Sequence, residues 1–408
     1  DYYHDTNISA RIDGRITETA GIGFSVRHSE SSMDYDDTGT DADKVQDTGI
    51  TSISTNFDQD ISGWWQHTIK LGFTDVKREY TENGGNFEST YNGSYKLASW
   101  QHNFFIGDVD TITAGFDYQE EEGDSLSVYG NMPGKSVNTK ACFIQNKFTP
   151  FNGFSFTLGM RHDDHQTFGG KDSYKGAVAY LYEKTGTKAR GSYGTGFHAP
   201  SLYQLYDPTV GDIGLKPEES RGYDIGIDQE LFGAKVFLSI AYFHNKIENL
   251  IEWQWTGPGM WDGQYFNIGK AKTEGWETNF SFKPFVWLSF DAHYTYTEAK
   301  NETPGSASEG RYLIYRSRHA GGASINIKPL EKVNVNLNAQ HTGKRYHNTD
   351  NSTELPAYTL FSLAASYDVT DRLRISGRVE NLTDKKHQSV YQYGEAGIGF
   401  YGGIEMTF

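Results

Sequence analysis

The stretch "KVNVNLNAQH", Lys332–His341, places apolar and polar residues strictly in turn. Val333, Val335 and Leu337 fall on one side of an extended chain, and the intervening asparagines fall on the other. A period of two residues predicts a β-strand with one apolar face. That face can meet either a protein core or lipid, and the rest of the sequence has to distinguish the two.

Composition excludes several classes of protein. The 408 residues include 27 Tyr and 25 Phe, yet the mean hydropathy is only -0.64. No run approaches the roughly 18 apolar residues that a membrane helix requires. The net charge of -16 and the lack of a Lys/Arg cluster argue against nucleic acid as a partner. A single cysteine, Cys142, rules out a disulfide framework.

The same alternation recurs in about nineteen segments of about 9 to 16 residues. Alternation alone does not separate a soluble sandwich from a membrane barrel. The connections do, because short turns such as "DVD" at Asp108 and "PFNG" at Pro150 alternate with long polar loops. Short turns on one side and long loops on the other are typical of an outer-membrane barrel with a polar lumen. The sequence therefore predicts an all-β, transmembrane antiparallel β-barrel whose apolar face meets lipid.

The strand count predicts that this barrel is incomplete. With nineteen strands, the first and last run in the same direction, and they cannot close an antiparallel barrel without leaving unpaired backbone groups in lipid. Barrels of about 22 strands form plugged transporters. We therefore expect residues 1–408 to form one barrel domain, with at least one strand and the plug absent from this sequence.

Four motifs resemble those of TonB-dependent outer-membrane receptors, in particular cobalamin and siderophore receptors. They are "RGSYGTGFHAPSLYQLYDP" from Arg190, "GLKPEESRGYDIGID" from Gly214, "YFNIGKAKTEGWE" from Tyr265 and "VENLTDKKHQSVYQYGEAGIGFYGGIEMTF" from Val379. His198 stands where the family usually has Arg. The terminal aromatic Phe408 also resembles the signal read by the outer-membrane assembly machinery.

The resemblance implies a Gram-negative outer-membrane transporter for a metal chelate, either cobalamin or a ferric siderophore. It also implies a barrel of about 22 strands behind an N-terminal plug, so that the plug and the first three or so strands would be absent from this sequence. Its partners would be the TonB complex, acting through the plug, together with the lipid bilayer and lipopolysaccharide, and the protein would be a monomer without enzymatic activity. The alternative function is a passive diffusion porin, and an outer-membrane enzyme or adhesin is a third.

Two groups of residues are candidate ligand contacts. The first lies in "IEWQWTGPGMWDGQYF", where exposed aromatic rings can hold a bulky planar ligand. The second lies where the family often contacts its ligand. Packing between loops and anchoring at the membrane interface are the alternative roles of the aromatic residues. The candidates are Trp253, Trp255, Trp261 and Tyr265 in the first group, and His198, Tyr203, Gln204 and Tyr206 in the second.

The acidic stretch "MDYDDTGTDADKVQD", Met33–Asp47, is a candidate calcium site because clustered carboxylates repel unless a hard cation bridges them. The candidate ligands are Asp34, Asp36, Asp37, Asp41 and Asp43. A solvated acidic loop is the alternative. The segment "RHDDHQTF" from Arg161 also groups His and Asp, and there we expect a structural loop.

Overall fold

The computed structural model describes residues 2–37, 40–82, 86–128, 130–255 and 263–407. These residues are almost entirely β-structure, with one short helix, α1, at Leu202–Tyr206. No helix within these ranges is long and apolar enough to cross a membrane. The strands are β1 Tyr3–Arg15, β2 Ala20–Asp37, β3 Thr40–Ser62, β4 Trp65–Glu82, β5 Asn86–Ile106, β6 Asp110–Ser127, β7 Gly130–Phe148, β8 Phe154–His165, β9 Gly169–Tyr182, β10 Thr187–His198, β11 Glu218–Leu231, β12 Val236–Trp255, β13 Gly263–Phe285, β14 Leu288–Asn301, β15 His319–Leu330, β16 Val333–Thr342, β17 Arg345–Tyr346, β18 Glu354–Leu355, β19 Tyr358–Thr370, β20 Leu373–Glu380 and β21 Gly399–Met406.

Nineteen of the strands in the described ranges belong to one sheet, and β17 and β18 form a separate two-stranded hairpin. Neighbours along the chain pair antiparallel, as in β1 with β2 and β20 with β21. The predicted all-β antiparallel class and the predicted number of strands are therefore confirmed. Inter-strand pairing of this kind satisfies the backbone N–H and C=O groups along the whole length of each strand.

The opening stretch forms β16, whose apolar residues lie opposite apolar residues on both neighbours. Leu337 pairs with Ile325 of β15 and with Leu363 of β19. Within the described ranges no second protein layer covers these side chains, since Leu337 is 41% exposed and Leu363 is 38% exposed. Elsewhere Phe116 and Ile225 are each 62% exposed. An apolar face left open in this way argues against a soluble sandwich, in which both inner faces are packed together.

The short connections predicted for one side of the sheet are confirmed, whereas the long loops predicted for the other side are confirmed only in part, since the connection at 166–168 has three residues. On the first side, nine connections have two to five residues, at 16–19, 63–64, 107–109, 149–153, 183–186, 232–235, 286–287, 331–332 and 371–372. Four of the connections on the other side are long, at 199–217, 302–318, 343–357 and 381–398.

The prediction of a loop is wrong over most of Met33–Asp47, and strands also reach into Ile251–Phe266 from both sides. The acidic stretch is mostly a hairpin, in which Asp34 of β2 pairs with Val45 of β3. In the aromatic stretch, β12 continues to Trp255 and β13 begins at Gly263. Strand pairing continues into both segments because the backbone groups of a hairpin satisfy one another whatever the side-chain pattern. Strands therefore reach 23 residues in β3 and β13, beyond the predicted range.

The chain forms two compact units. Unit 1 comprises Asp1–Ala177, Gly194–Arg221 and Ile247–Ile268, and unit 2 comprises Val178–Tyr193, Gly222–Lys246 and Gly269–Phe408. In unit 1 one face of the sheet is polar. There Ser99 donates to Asp117 over 2.7 Å, and Arg161 forms ion pairs with both Asp117 and Asp163. The opposite, apolar face of unit 1 carries Trp100, Phe116, Ile144 and Leu158.

Candidate ligand site

The helix α1 forms because its first turn is capped by its own sequence, "SLYQ" at Ser201–Gln204. Ser201 Oγ accepts from the backbone N–H of Gln204 over 3.2 Å, and Gln204 Oε1 accepts from the N–H of Ser201 over 2.9 Å. This reciprocal capping box satisfies two N–H groups that a helix start leaves unpaired. It fixes a five-residue helix that would be too short to persist on propensity alone.

Asp207 ends α1 and turns the chain. Its Oδ1 accepts from the backbone N–H groups of Thr209 over 2.9 Å and of Val210 over 3.0 Å, and from the Thr209 hydroxyl over 2.6 Å. Such side-chain bonds to the following backbone stabilise a turn without secondary structure. Gly211 lies so close that a Cβ there would be 2.6 Å from the carbonyl oxygen of Asp207. The segment that follows α1 is therefore tightly folded.

The helix lies on the polar face of unit 1. A Cβ on Gly123 of β6 would lie 3.3 Å from Cδ1 of Leu202, and one on Gly130 of β7 would lie 3.3 Å from Cγ of Pro208. Leu205 is only 3% exposed. Further along, the N–H of Tyr265 donates to the carbonyl of Val210 over 3.1 Å. Segment 199–217 therefore folds back over the polar face, and β13 holds it at Val210.

Five half-buried tyrosines form a continuous series of ring contacts across this face, which we call the tyrosine chain. Successive ring centroids are 5.8, 6.0, 6.1 and 6.3 Å apart, and each pair is arranged edge to face. Aromatic pairs prefer this geometry at these distances, because the positive ring edge meets the negative ring face. In order along the chain of contacts, the members are Tyr35, Tyr80, Tyr91, Tyr203 and Tyr265.

The middle of the tyrosine chain is uncharged at neutral pH. Burial raises the pKa of the Tyr203 phenol well above its ordinary value, and the nearby Asp207 carboxylate raises it further. A positive group lies beside this region, since Lys135 Nζ is 5.4 Å from the ring centroid of Tyr206. The site therefore combines apolar ring surface, neutral hydroxyl groups and one ammonium group.

The structure brings together some of the predicted ligand residues. Tyr203 and Tyr265 are in contact, and Tyr206 lies on the same helix beside Lys135. Gln204 uses its amide oxygen in the capping box, and His198 is exposed at the end of β10. Whether any of them contacts a ligand stays a prediction.

The predicted tryptophans are less well defined. Trp253 lies at the end of β12 and packs over Gly263, where a Cβ would overlap its ring. Trp255 ends β12, but its side chain lies outside the described part of the structure, as does Trp261 altogether. The aromatic stretch is therefore mostly strand where it is described, and its role in binding stays a prediction.

Of the predicted calcium ligands, only the Asp34 side chain is described. It is exposed, and its Oδ2 accepts from the backbone N–H of Tyr2 over 2.9 Å. Asp36 and Asp37 belong to β2 and Asp41 and Asp43 to β3, but their side chains lie outside the description. Among the described residues, no group of three or more His, Cys, Asp or Glu side chains is placed to hold a metal ion.

The segment "RHDDHQTF" has structural contacts, as expected. Arg161 and Asp163 belong to the polar network of unit 1. His162 pairs with Asp172 of β9 at 2.7 Å, and His165 stacks on Phe168 with ring centroids 4.0 Å apart. The segment is not a loop, however, because β8 continues to His165.

Sequence reasoning missed three members of the tyrosine chain and Lys135. Tyr35, Tyr80 and Tyr91 occupy positions on the polar face of β2, β4 and β5, where an alternating strand usually carries a polar residue. A bulky aromatic residue at such a position was the available signal. The contacts themselves depend on strand register, which alternation does not supply.

The family described as "TonB dependent receptor-like, beta-barrel" matches residues 2–382. The vitamin B12 transporter BtuB of Photobacterium profundum is 26% identical over 418 residues, which cover 100% of this chain and 65% of that protein. The same transporter of Vibrio vulnificus is 29% identical over 303 residues, which cover 74% of this chain and 47% of that protein. This chain thus spans less than two thirds of these curated relatives.

Solved structures share the fold at low sequence identity. The siderophore receptor PirA of Acinetobacter baumannii superposes with a TM-score of 0.84 at 15% identity, covering 100% of this chain and 71% of that one. The ferric enterobactin receptor PfeA of Pseudomonas aeruginosa gives 0.82 at 17% identity, covering 100% and 70%. The family and these relatives are receptors and transporters, which confirms the prediction that the chain is not an enzyme. The chain belongs to the TonB-dependent receptor β-barrel family.

Proposed function

We propose that the chain is the barrel part of a Gram-negative outer-membrane receptor that imports a metal chelate, either cobalamin or a ferric siderophore. Family membership and the printed functions of the relatives support the proposal. The observation that carries it is the tyrosine chain, which α1 completes on the polar face of unit 1. A pore for passive diffusion has no need of a packed aromatic site beneath a capped helix.

In this proposal the tyrosine chain is the contact surface for the chelate. Tyrosine supplies a large apolar area at a low entropic cost and ends in a hydroxyl group that hydrogen-bonds. The Tyr203 hydroxyl is protonated at neutral pH, as a phenol ordinarily is, so that it can donate to acceptor atoms on the rim of a chelate, and its raised pKa extends this to alkaline pH. Lys135 beside Tyr206 adds a positive charge for an anionic chelate. His198, Gln204, Trp253, Trp255 and Trp261 remain proposed contacts of the ligand.

We also propose that calcium binds the acidic hairpin through Asp34, Asp36, Asp37, Asp41 and Asp43. Hard oxygen ligands suit calcium, and the sequence of the hairpin carries these five aspartates between residues 34 and 43. Tyr35 lies between Asp34 and Asp36 in the sequence, so a cation there would order the strand that carries one end of the tyrosine chain. Calcium would therefore strengthen chelate binding without touching the chelate.

The remaining partners follow from the proposed location. The exposed apolar face would meet the hydrocarbon of the outer membrane, with lipopolysaccharide in its outer leaflet. Energy for import would come from the TonB complex acting on a plug domain, and we propose a monomeric receptor. The polar face, with its network around Arg161, would line the lumen.

A binding titration of the full-length protein in detergent tests the function. Cobalamin and ferric siderophores of the catecholate and hydroxamate types are titrated separately, each with calcium and with a chelator of calcium. Saturable binding of one ligand class, weakened in the Tyr91→Ala and Tyr203→Ala variants, is the expected result. Tyr174→Ala, which removes an exposed tyrosine of the apolar face, is the matched control. Unsaturable passage of many small solutes through reconstituted protein, with no binding, would instead identify a porin.

A further inference from the structure

In unit 2, connection 343–357 contacts connection 302–318 at Tyr346 and connection 381–398 at Arg345, the first residue of β17. Its partner across the hairpin is Leu355, which is 1% exposed. Ring contacts hold the layer together, with Tyr358 4.4 Å from His387 and Tyr391 4.8 Å from His347 between ring centroids. We call connections 302–318, 343–357 and 381–398, together with Tyr358, the loop layer.

Arg345 is a buried cation that joins two of these connections. It is only 5% exposed, and its guanidinium carbon lies 5.2 Å from the ring centroid of Tyr358. Its Nη2 donates to the carbonyl oxygens of Gln388, and of Ser389 over 3.3 Å. The guanidinium therefore fixes the middle of connection 381–398, at Gln388 and Ser389, to β17.

Within the described part of the chain, Arg345 lacks both a hydrogen-bond partner for Nη1 and a counter-charge for its guanidinium group. Nη1 is buried and has no hydrogen-bond partner. None of the ion pairs among the described residues includes Arg345, and the carboxylate of Glu354 on the adjacent strand pairs instead with Lys344 at 2.9 Å. A water molecule would satisfy Nη1 but would leave the charge uncompensated. A buried charge without a counter-charge is strongly unfavourable. An anion would supply both the missing hydrogen-bond acceptor and the missing counter-charge.

We propose that Arg345 is the binding group of a site for a small soluble oxyanion, a carboxylate or a phosphate, within the loop layer. An anionic oxygen accepts from Nη1 and neutralises the guanidinium, while Nη2 keeps its bonds to Gln388 and Ser389. Charge-assisted hydrogen bonds to arginine are the strong ones, and arginine suits both oxyanions. Because Nη1 is buried, connection 381–398 opens to admit the anion and closes on it. The site does not depend on which chelate the receptor carries.

Hydrogen–deuterium exchange of the full-length protein in detergent tests the proposal. Amides of residues 387–395 are followed in Tris chloride while inorganic phosphate or acetate is added at constant ionic strength. An oxyanion that binds only the closed layer slows exchange through opening by the factor 1 + [L]/Kd, about tenfold at ten times Kd. We expect saturable slowing in the wild type and in Arg316→Met, an exposed arginine of connection 302–318. We expect none in Arg345→Met.

Two further measurements separate a folding defect from a loss of binding, and a lipid ligand from a soluble one. Arg345→Lys keeps a positive charge, so it should fold and respond to phosphate with a weaker apparent affinity. Mixed micelles of phosphatidylglycerol, at the same concentration of phosphate groups, separate a lipid source from a soluble one. If exchange in the wild type is indifferent to phosphate and acetate, or responds to the micelles alone, then Arg345 is a structural clamp and the proposed site is wrong.

Discussion

Tyr91 of β5 and Tyr203 of α1 meet edge to face, with ring centroids 6.1 Å apart and an angle of 64° between their planes. One ring belongs to a long strand and the other to a five-residue helix in a connection. Their contact couples the position of α1 to the sheet, so a substitution of either ring should change the affinity of the proposed ligand surface.

Removal of the Tyr203 ring should weaken chelate binding more than removal of its hydroxyl. For Tyr203→Ala we expect an increase in Kd of about 30-fold, equivalent to about 2 kcal/mol, as for a central aromatic contact. Tyr203→Phe keeps the ring contacts with Tyr91 and Tyr265 and should show a smaller increase. Fluorescence or calorimetric titration, with whichever chelate binds the wild type in the titration proposed above, measures both Kd values. Equal Kd values for Tyr203→Ala, Tyr174→Ala and the wild type would remove Tyr203 from the site.

Loss of the helix cap should loosen α1 without unfolding the sheet. Ser201→Ala removes the acceptor for the Gln204 N–H, and loss of such a cap costs about 1 kcal/mol. We expect amide exchange in residues 202–206 to accelerate about fivefold, the equivalent of that free energy. Gln204→Glu keeps an oxygen acceptor for the Ser201 N–H and serves as the control. Acceleration of the same size in Gln204→Glu would contradict the role given to the capping box.

A side chain at Gly115 should destabilise the polar face of unit 1. A Cβ there would lie 2.6 Å from Cζ of Phe143 and 2.8 Å from the backbone oxygen of Trp100. Phe143 would have to move, and with it the contact of its ring with Arg161, whose guanidinium carbon lies 5.8 Å away. Gly115→Val should therefore lower the free energy of unfolding by about 1–3 kcal/mol.

Urea-induced unfolding in detergent measures this change. Gly49→Val in β3 is the matched control, since a Cβ at Gly49 meets no atom within 4 Å among the described residues. The control should leave the midpoint nearly unchanged. A similar loss in both variants would show that glycine is needed in these strands for a reason other than the Phe143 contact.

The raised pKa of Tyr203 predicts a loss of stability at alkaline pH. The phenol stays protonated in the folded protein while the unfolded chain ionises above about pH 10, so the native state binds more protons. Stability from this group is therefore complete below about pH 10 and decreases as the pH rises toward the folded pKa. Phenylalanine cannot ionise, so the stability of wild type relative to Tyr203→Phe should decrease between about pH 9 and 11. A difference that is constant over this range would show that burial does not perturb Tyr203.

The alternation of residues was sufficient to predict the strands, but not where they end. Leu337 and Ile325 alternate with polar neighbours because one face of the sheet is apolar, and that requirement is visible in sequence. Where a strand continues past the apolar face of the sheet, its side chains are no longer required to alternate. Asp34 pairs with Val45 through the backbone, and the acidic stretch was therefore predicted to be a loop.

The candidate site was predictable only where it is local. Tyr203 and Tyr206 lie in a recognisable motif, and the capping box of Ser201 and Gln204 can be read directly from "SLYQ". Tyr80 and Tyr91 join the site through the register of β4 and β5, which a shift of one residue would reverse. Arg345 shows the same limit, because its burial depends on how three connections pack.

The length of β3 has a mechanical consequence. Its 23 residues extend on the order of 75 Å, whereas a membrane-crossing strand needs only about 9–11 residues. In the proposed orientation, more than half of its hydrogen-bond ladder stands in water, stiffened by β2 and β4 on either side. In that orientation, antibodies or phage that bind at β3 would meet a backbone held by hydrogen bonds to β2 and β4 rather than a flexible loop. Escape from such a binder would then come from substitution of the exposed side chains of these strands.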